Sequence, residues 1–295
     1  MAACLGALAA ARSLQQLNLY FGCMGAALCV TSWCEALRQL SELELLSGVS
    51  ELCICSSLEG LSAVTQLSLS GTALILDGTA QLPPNVERLS LGCGRAALPL
   101  QLAGLQELTL FEAGGDMELA AAHAAVNAAL QQLTALTSLC IVDDLPRCHT
   151  PLALVGLSRL QRCCLCGVDY GAELEAPLSL LPPGPWAASL RSLGAGLDVL
   201  ARSTEVLATA TQLTRLALAG NSLYSKDQAA FWEWAGSHPS LRRLQIEVDE
   251  YTDLSGPTLH AICSLARERP QLEVATKMAE GGTTFDKEFD FGFGF

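Results

Sequence analysis

One short pattern recurs through this chain and constrains its fold more than any other feature. Residues 213–223 read Leu-Thr-Arg-Leu-Ala-Leu-Ala-Gly-Asn-Ser-Leu, apolar at the first, fourth, sixth and eleventh positions, with Asn221 at the ninth. Twenty-eight residues later, Leu241-Arg-Arg-Leu244-Gln-Ile246 restates the first half. The same ruler fits Leu14-Gln-Gln-Leu17-Asn-Leu19, Val64-Thr-Gln-Leu67-Ser-Leu69, Leu105-Gln-Glu-Leu108-Thr-Leu110 and Leu136-Thr-Ser-Leu139-Cys-Ile141, among other stretches. A unit this short cannot bury its own leucines. Units stacked side by side make one continuous core.

The spacing has a direct structural meaning. Leu216 and Leu218 are two apart, so in a strand they share a face, while Arg215, Ala217 and Ala219 point to the other. Leu216 and Leu218 are therefore expected buried, and Arg215 and Ala217 exposed. Leu213 and Leu223 lie outside the strand and plug the same core. Asn221 stands where the chain turns out of the strand, and its amide can bond backbone groups that the turn leaves unpaired.

The intervals are uneven. Val64, Val86 and Leu105 open units 22 and 19 residues apart, with room only for an extended or 3₁₀ return. Between Leu105 and Leu136, 31 residues include an alanine-rich stretch from Asp116 to Leu130 that reads as a helix. Ser32-Trp-Cys-Glu35 and Ser225-Lys-Asp-Gln228 read as capping boxes, the second opening a helix through Phe231 and Trp234. Residues 198–208 read as one more helix, and Pro257 sits in the first turn of another through Leu265. The prolines at 182, 183 and 185 exclude helix interior there. Leu40-Ser-Glu-Leu43-Glu-Leu45 and Val49-Ser-Glu-Leu52-Cys-Ile54 begin nine residues apart and cannot both open full units, so two strands separated by a turn at Gly48 are expected. Leu272-Glu-Val274 reads as a terminal strand.

These in-register copies resemble leucine-rich repeats. The units of 28 to 31 residues with a strand and a capped helix resemble the ribonuclease-inhibitor-like class. The resemblance covers roughly residues 12–276. It departs from that class in its uneven periods and in having a clear ninth-position Asn only at Asn221. It implies an α/β fold: a curved, horseshoe-like leucine-rich repeat solenoid with a parallel inner sheet and helices or 3₁₀ turns on the convex side. Residues 1–279 are expected to form the solenoid, and residues 280–295, with Phe285, Phe289, Phe291, Phe293 and Phe295, a mobile Phe/Gly-rich tail.

Composition narrows the function. A formal net charge of −13 repels phosphate backbones and anionic bilayers, so no nucleic acid and no membrane partner is expected. No run reaches the roughly 18–20 uncharged apolar residues of a membrane span. Residues 1–11 are apolar but lack a preceding basic region, which reads as the end of an incomplete first repeat rather than a signal peptide. Thirteen cysteines, an odd number dispersed through the repeats, read as small buried apolar residues in a reducing, cytoplasmic compartment without structural disulfides. The resemblance adds the cytoskeleton or a cilium axoneme as the alternative location.

The sequence carries no motif for chemistry. Cys163-Cys164-x-Cys166, with Cys148-His149 upstream, lacks the usual zinc-ligand spacing, and strand alternation sends Cys163 to the face opposite Cys164. His123, His149, His238 and His260 fall in different units, and no P-loop, G-x-S-x-G or H-E-x-x-H is present. The expectation is no catalytic residue, no metal and no cofactor. The leading reading is a monomeric protein-binding scaffold whose concave strand face carries the partner, with Glu107, Phe111, Arg162, Arg215, Ala217, Arg243 and Gln245 as contact residues. Glu42, Glu44 and Glu51 make the N-terminal part of that face acidic, and Arg162, Arg215 and Arg243 make the C-terminal part basic. The alternative, implied by the resemblance alone, is a regulatory module: a ubiquitin-ligase substrate adaptor or a GTPase activator. An adaptor is expected to carry an F-box-like segment before the repeats, and about a dozen residues precede Leu14.

Overall fold

The leucine ruler becomes parallel strands. The computed structural model describes residues 13–21, 27–28, 37–47, 51–54, 57–71, 73–76, 81–92, 102, 104–111, 119–142, 152–166, 181–218, 228–248 and 256–278. The chain divides into two units, Met1–Leu136 and Thr137–Phe295.

In the first unit β1 (Gln16–Phe21), β3 (Glu42–Ser47), β5 (Gln66–Ser70), β7 (Arg88–Gly92) and β8 (Glu107–Phe111) lie side by side, all parallel. The register sets Leu17, Leu43, Leu67, Leu89 and Leu108 in one row and Leu19, Leu45, Leu69, Leu91 and Leu110 in the next. Both rows are buried except at half-buried Leu19. One carbonyl before each strand locks the next unit to it. Gln15 O accepts from the N–H groups of Ser41 and Glu42, Ser41 O from those of Thr65 and Gln66, and Thr65 O from those of Glu87 and Arg88. The returns between strands run on three-residue turns. Leu61 N–H donates to Leu58 O and Val64 N–H to Leu61 O, so every third residue points inward, and these three are buried.

A second, three-stranded parallel sheet forms from β2 (Ala27–Leu28), β4 (Glu51–Ile54) and β6 (Ala73–Leu76). It explains the competing matches around residue 48. The match at Leu40 leads into β3 of the leucine sheet, while that at Val49 yields β4 of the second sheet. Glu51 is thereby corrected: its strand is not part of the leucine sheet. The alanine-rich stretch forms α1 (Leu119–Leu130), which buries Val126, Ala129 and Leu130 and exposes Ala124 and Ala128.

The second unit has β9 (Ser138–Val142), β10 (Arg162–Cys166), β11 (Ser192–Ala195), β12 (Arg215–Leu218), β13 (Arg243–Val248) and β14 (Glu273–Met278), parallel and in chain order. Leu139, Cys163, Leu193, Leu216, Leu244 and Val274 align as one inward row. The returns carry α2 (Trp186–Ser189), α3 (Leu197–Arg202), α4 (Thr204–Leu207), α5 (Gln228–Ser237) and α6 (Gly256–Glu268). The proline stretch closes on α2: Pro185 caps it, and buried Trp186 donates from Nε1 to Pro182 O at 2.8 Å. The single helix expected over 198–208 is two. Ser203 leaves helical geometry at φ −113°, ψ 17° and its N–H turns back to Leu200 O. That break lets Val206 and Leu207 enter the core beside Leu197 and Leu200. Pro257 lies in the first turn of α6 as expected. Gln228 opens α5, but its Oε1 accepts from Trp232 Nε1 at 3.1 Å and Thr258 Oγ1 at 2.9 Å, joining two helices. Each unit has the α/β architecture of a leucine-rich-repeat-type solenoid. Asn221, the Ser32 capping box, residues 1–12 and the tail 280–295 lie outside the described residues. Among those described, no helix is long and apolar enough to cross a membrane.

Candidate functional site

Every strand that sends leucines inward presents its alternate residues on the opposite face, and this face is the candidate site. In the first unit the alternation is clear: β5 is half-exposed at Gln66, Ser68 and Ser70 around buried Leu67 and Leu69. Gln66 Nε2 donates to Glu42 Oε1 at 2.9 Å, linking neighbouring strands on that face. Glu107 is half-buried and is the register partner of exposed Arg88, an opposite-charge pairing. Phe111, half-buried, is the register partner of Gly92. A Cβ on Gly92 would collide with the Ser70 side chain, so the lack of one is a packing requirement. Thr109, expected to face out, does so but is buried, and its Oγ1 has no hydrogen-bond partner among the described residues.

In the second unit two rows cross the corresponding face. The first row runs Ser138, Arg162, Ser192, Arg215, Arg243 and Glu273. Arg215 is exposed, Arg162 half-buried, and Arg243 has a 24% exposed side chain with Nε 3.7 Å from Glu273 Oε1. The second row runs Cys140, Cys164, Gly194, Ala217, Gln245 and Ala275. All but half-buried Ala275 are buried. This corrects the expectation that Ala217 is exposed: its relative accessibility is 0%. The alternation itself holds, but facing away from the leucines is not the same as reaching solvent. Ala217 stands between Gly194 and Gln245 in a strand paired on both sides. Gln245 is buried as well, at 3%. The structure thus sets Arg162, Arg215 and Arg243 on one row, exposed at Arg215 and half-buried at the other two with buried Ser192 among them, and places Ala217 and Gln245 in the buried row beside it.

Three of the cysteines on the strands are buried. Cys163 points into the leucine core and Cys164 to the other face, both fully buried. Cys140, Cys163, Cys164 and Cys263 carry free thiols. The side-chain hydrogen bond with Cys164, added to burial, raises the Cys140 thiol well above its ordinary pKa, and burial raises that of Cys163. Such thiols are poor nucleophiles at neutral pH. Among the described residues no group of three or more His, Cys, Asp or Glu converges as a metal site. Cys148, His149 and the side chains of Cys166 and His123 lie outside the described residues.

His238 is the informative histidine. It is 5% exposed, packs against Trp234 with ring centroids 5.0 Å apart and the rings tilted by 55°, and places Nε2 3.1 Å from Ala210 O. A carbonyl only accepts, so Nε2 carries the hydrogen, and Nδ1 is left buried without a partner among the described residues. Burial depresses its pKa; the carbonyl bond opposes this, and the Arg269 charge adds to it. The unfolded chain therefore binds a proton near the ordinary value of 6.5 while the folded chain does not. The contribution of His238 to stability is expected to be complete above that value and lost as pH falls from it through the depressed folded pKa. Asp198, whose carboxyl burial raises, acts in the opposite sense at lower pH. The check is thermal unfolding of wild type and His238→Gln between about pH 7.5 and pH 5.5. The wild type should lose more of its Tm than the variant, and equal losses would refute the assignment.

Sequence reasoning missed three features here. Glu273 completes the arginine row, and its alternation with Val274 was the available signal. The burial of the second row had none, because it depends on residues distant in sequence. Arg269, buried at 7% at the end of α6, reads in sequence as an ordinary solvated helix-end cation. No family model matches the chain, and no curated protein matches it in sequence.

Proposed function

We propose that the protein is a leucine-rich repeat protein of the ribonuclease-inhibitor-like class, a non-catalytic scaffold that binds a protein partner on the strand face opposite its leucines. The observation that carries this reading is the contrast between the two faces. One face aligns leucines in buried rows, while the other aligns Gln66, Arg88 and Glu107 in one unit and Arg162, Arg215 and Arg243 in the other. Stacked repeats offer such a face as an extended binding surface, in which a few anchors dominate the energy. Glu107, Phe111, Arg162, Arg215 and Arg243 are the proposed contact residues, with Ala217 and Gln245 in the buried row beside the arginines. A reducing, cytoplasmic setting fits the free thiols, with the cytoskeleton or a cilium axoneme as the alternative.

The test is site-specific photo-crosslinking in the native cell. A benzoylphenylalanine at Glu107 or Arg215 should yield one discrete protein adduct. The same probe at Glu233 or Arg267, exposed on α5 and α6, should not. Adducts only from the helix positions would place the partner elsewhere and overturn the reading.

A further inference from the structure

Arginine is unevenly placed in this chain. Lys and Arg total 17 against 30 Asp and Glu. Yet Arg162, Arg191, Arg215, Arg242 and Arg243 all fall at or just before the first residue of β10, β11, β12 or β13. The parallel register sets Arg162, Ser192, Arg215 and Arg243 abreast on the face opposite the leucines. Arg215 and Arg243 are direct neighbours. Like charges opposed on adjacent strands destabilise the pairing, so this arrangement favours an anion set against it.

The fold itself displays what such an anion looks like. On the next strand Glu273 is the register partner of Arg243, and its Oε1 lies 3.7 Å from Nε. One strand back, Arg215 occupies the equivalent place, exposed, with no carboxylate beside it among the described residues. Ser192, small and buried at 7%, separates it from Arg162 in the row.

We propose that the arginine row of β10 to β13 binds an extended acidic segment of the partner protein, one carboxylate of which pairs with Arg215 as Glu273 pairs with Arg243, while Arg162 adds positive charge further along the row. This rests on the scaffold reading above and names the chemistry of its partner. Four strands about 4.8 Å apart span about 14 Å, the length of four or five extended residues. A long polyanion fits less well. It runs on past the row over a protein of net charge −13, and at physiological salt repulsion is screened only beyond about 8 Å. Guanidinium groups pair with carboxylates through two parallel hydrogen bonds, which gives direction as well as charge.

The probe is a fluorescein-labelled hexaglutamate peptide, titrated with the full chain and read by fluorescence anisotropy. Arg162→Gln with Arg215→Gln should weaken binding at least about tenfold and flatten its salt dependence. Arg202→Gln with Arg267→Gln removes the same charge from α3 and α6 and should change affinity less than about twofold. Arg215→Gln alone, at an exposed position, guards against a folding defect in the double variant. Equal losses from both pairs mean general charge attraction and overturn the proposal, as does tighter binding of an oligothymidylate carrying the same charge. A tenfold gain in affinity on deleting residues after 280 makes the chain's own acidic, Phe-rich tail the occupant, which also overturns it. If the peptide does not bind while crosslinks at Glu107 persist, the acidic-segment proposal fails and the scaffold reading stands. Loss of those crosslinks fails the scaffold reading instead.

Discussion

Truncating Leu216 to alanine is expected to lower the unfolding free energy by about 2–5 kcal/mol, the range for a fully buried leucine. Leu216 is 0% exposed and sits mid-row, flanked by Leu193 on one strand and Leu244 on the other, both also 0% exposed. Removing its side chain leaves a cavity bounded by leucines of two neighbouring repeats. Stacked repeats are stabilised largely through such nearest-neighbour interfaces, so one truncation weakens two of them at once. Arg215, adjacent in sequence but exposed, is the control: Arg215→Ala should stay within about 0.5 kcal/mol. Urea titrations followed by circular dichroism check both. Equal stability of Leu216→Ala and wild type would refute the register on which the fold reading stands.

The fold was legible because its information is local and repeated. Spacing of the Leu216 and Leu218 type fixes strand and face from six residues, and the register then follows by stacking. The second sheet of β2, β4 and β6 was only half legible. Its strands lie within nine residues of a leucine-sheet strand, as Val49 does of Leu40, and spacing alone does not say which of two matches joins which sheet. The helix break at Ser203 was not legible, because local propensity runs on through it and the turn is set by what Val206 and Leu207 must reach. At the candidate site, period-two alternation placed Arg162, Arg215 and Arg243 on one face, where the structure has them. It failed for the exposure of Ala217. Alternation reports direction, whereas exposure depends on what residues distant in sequence place beside a side chain. Arg269 was missed for a related reason: its partners, Ala235 and Leu241, are 34 and 28 residues away.

Arg269→Met is expected to destabilise the second unit by about 3–5 kcal/mol, since two charge-assisted hydrogen bonds are lost and their acceptors stay buried. Arg269 Nη1 donates to Ala235 O at 2.7 Å and Nη2 to Leu241 O at 2.9 Å. Ala235 O is one of the last four carbonyls of α5, which no helical N–H can satisfy. Leu241 is the first residue of the repeat that leads into β13. One guanidinium therefore ties the end of a helix to the start of the following unit from the end of the next helix. Burial lowers the pKa of Arg269, and the nearby Arg242 charge adds to that; among the described residues these two carbonyls accept from the guanidinium. Methionine keeps most of the volume and removes both donors, which separates hydrogen bonding from packing. Arg269→Lys is the sharper variant. Lysine keeps the charge but lacks the planar fork, so it reaches one carbonyl at a time and should recover less than about half of the loss. Guanidinium chloride unfolding of the three proteins decides it. A lysine variant as stable as wild type would show that charge alone suffices, and a methionine variant within about 0.5 kcal/mol would show that the two carbonyls do not depend on Arg269.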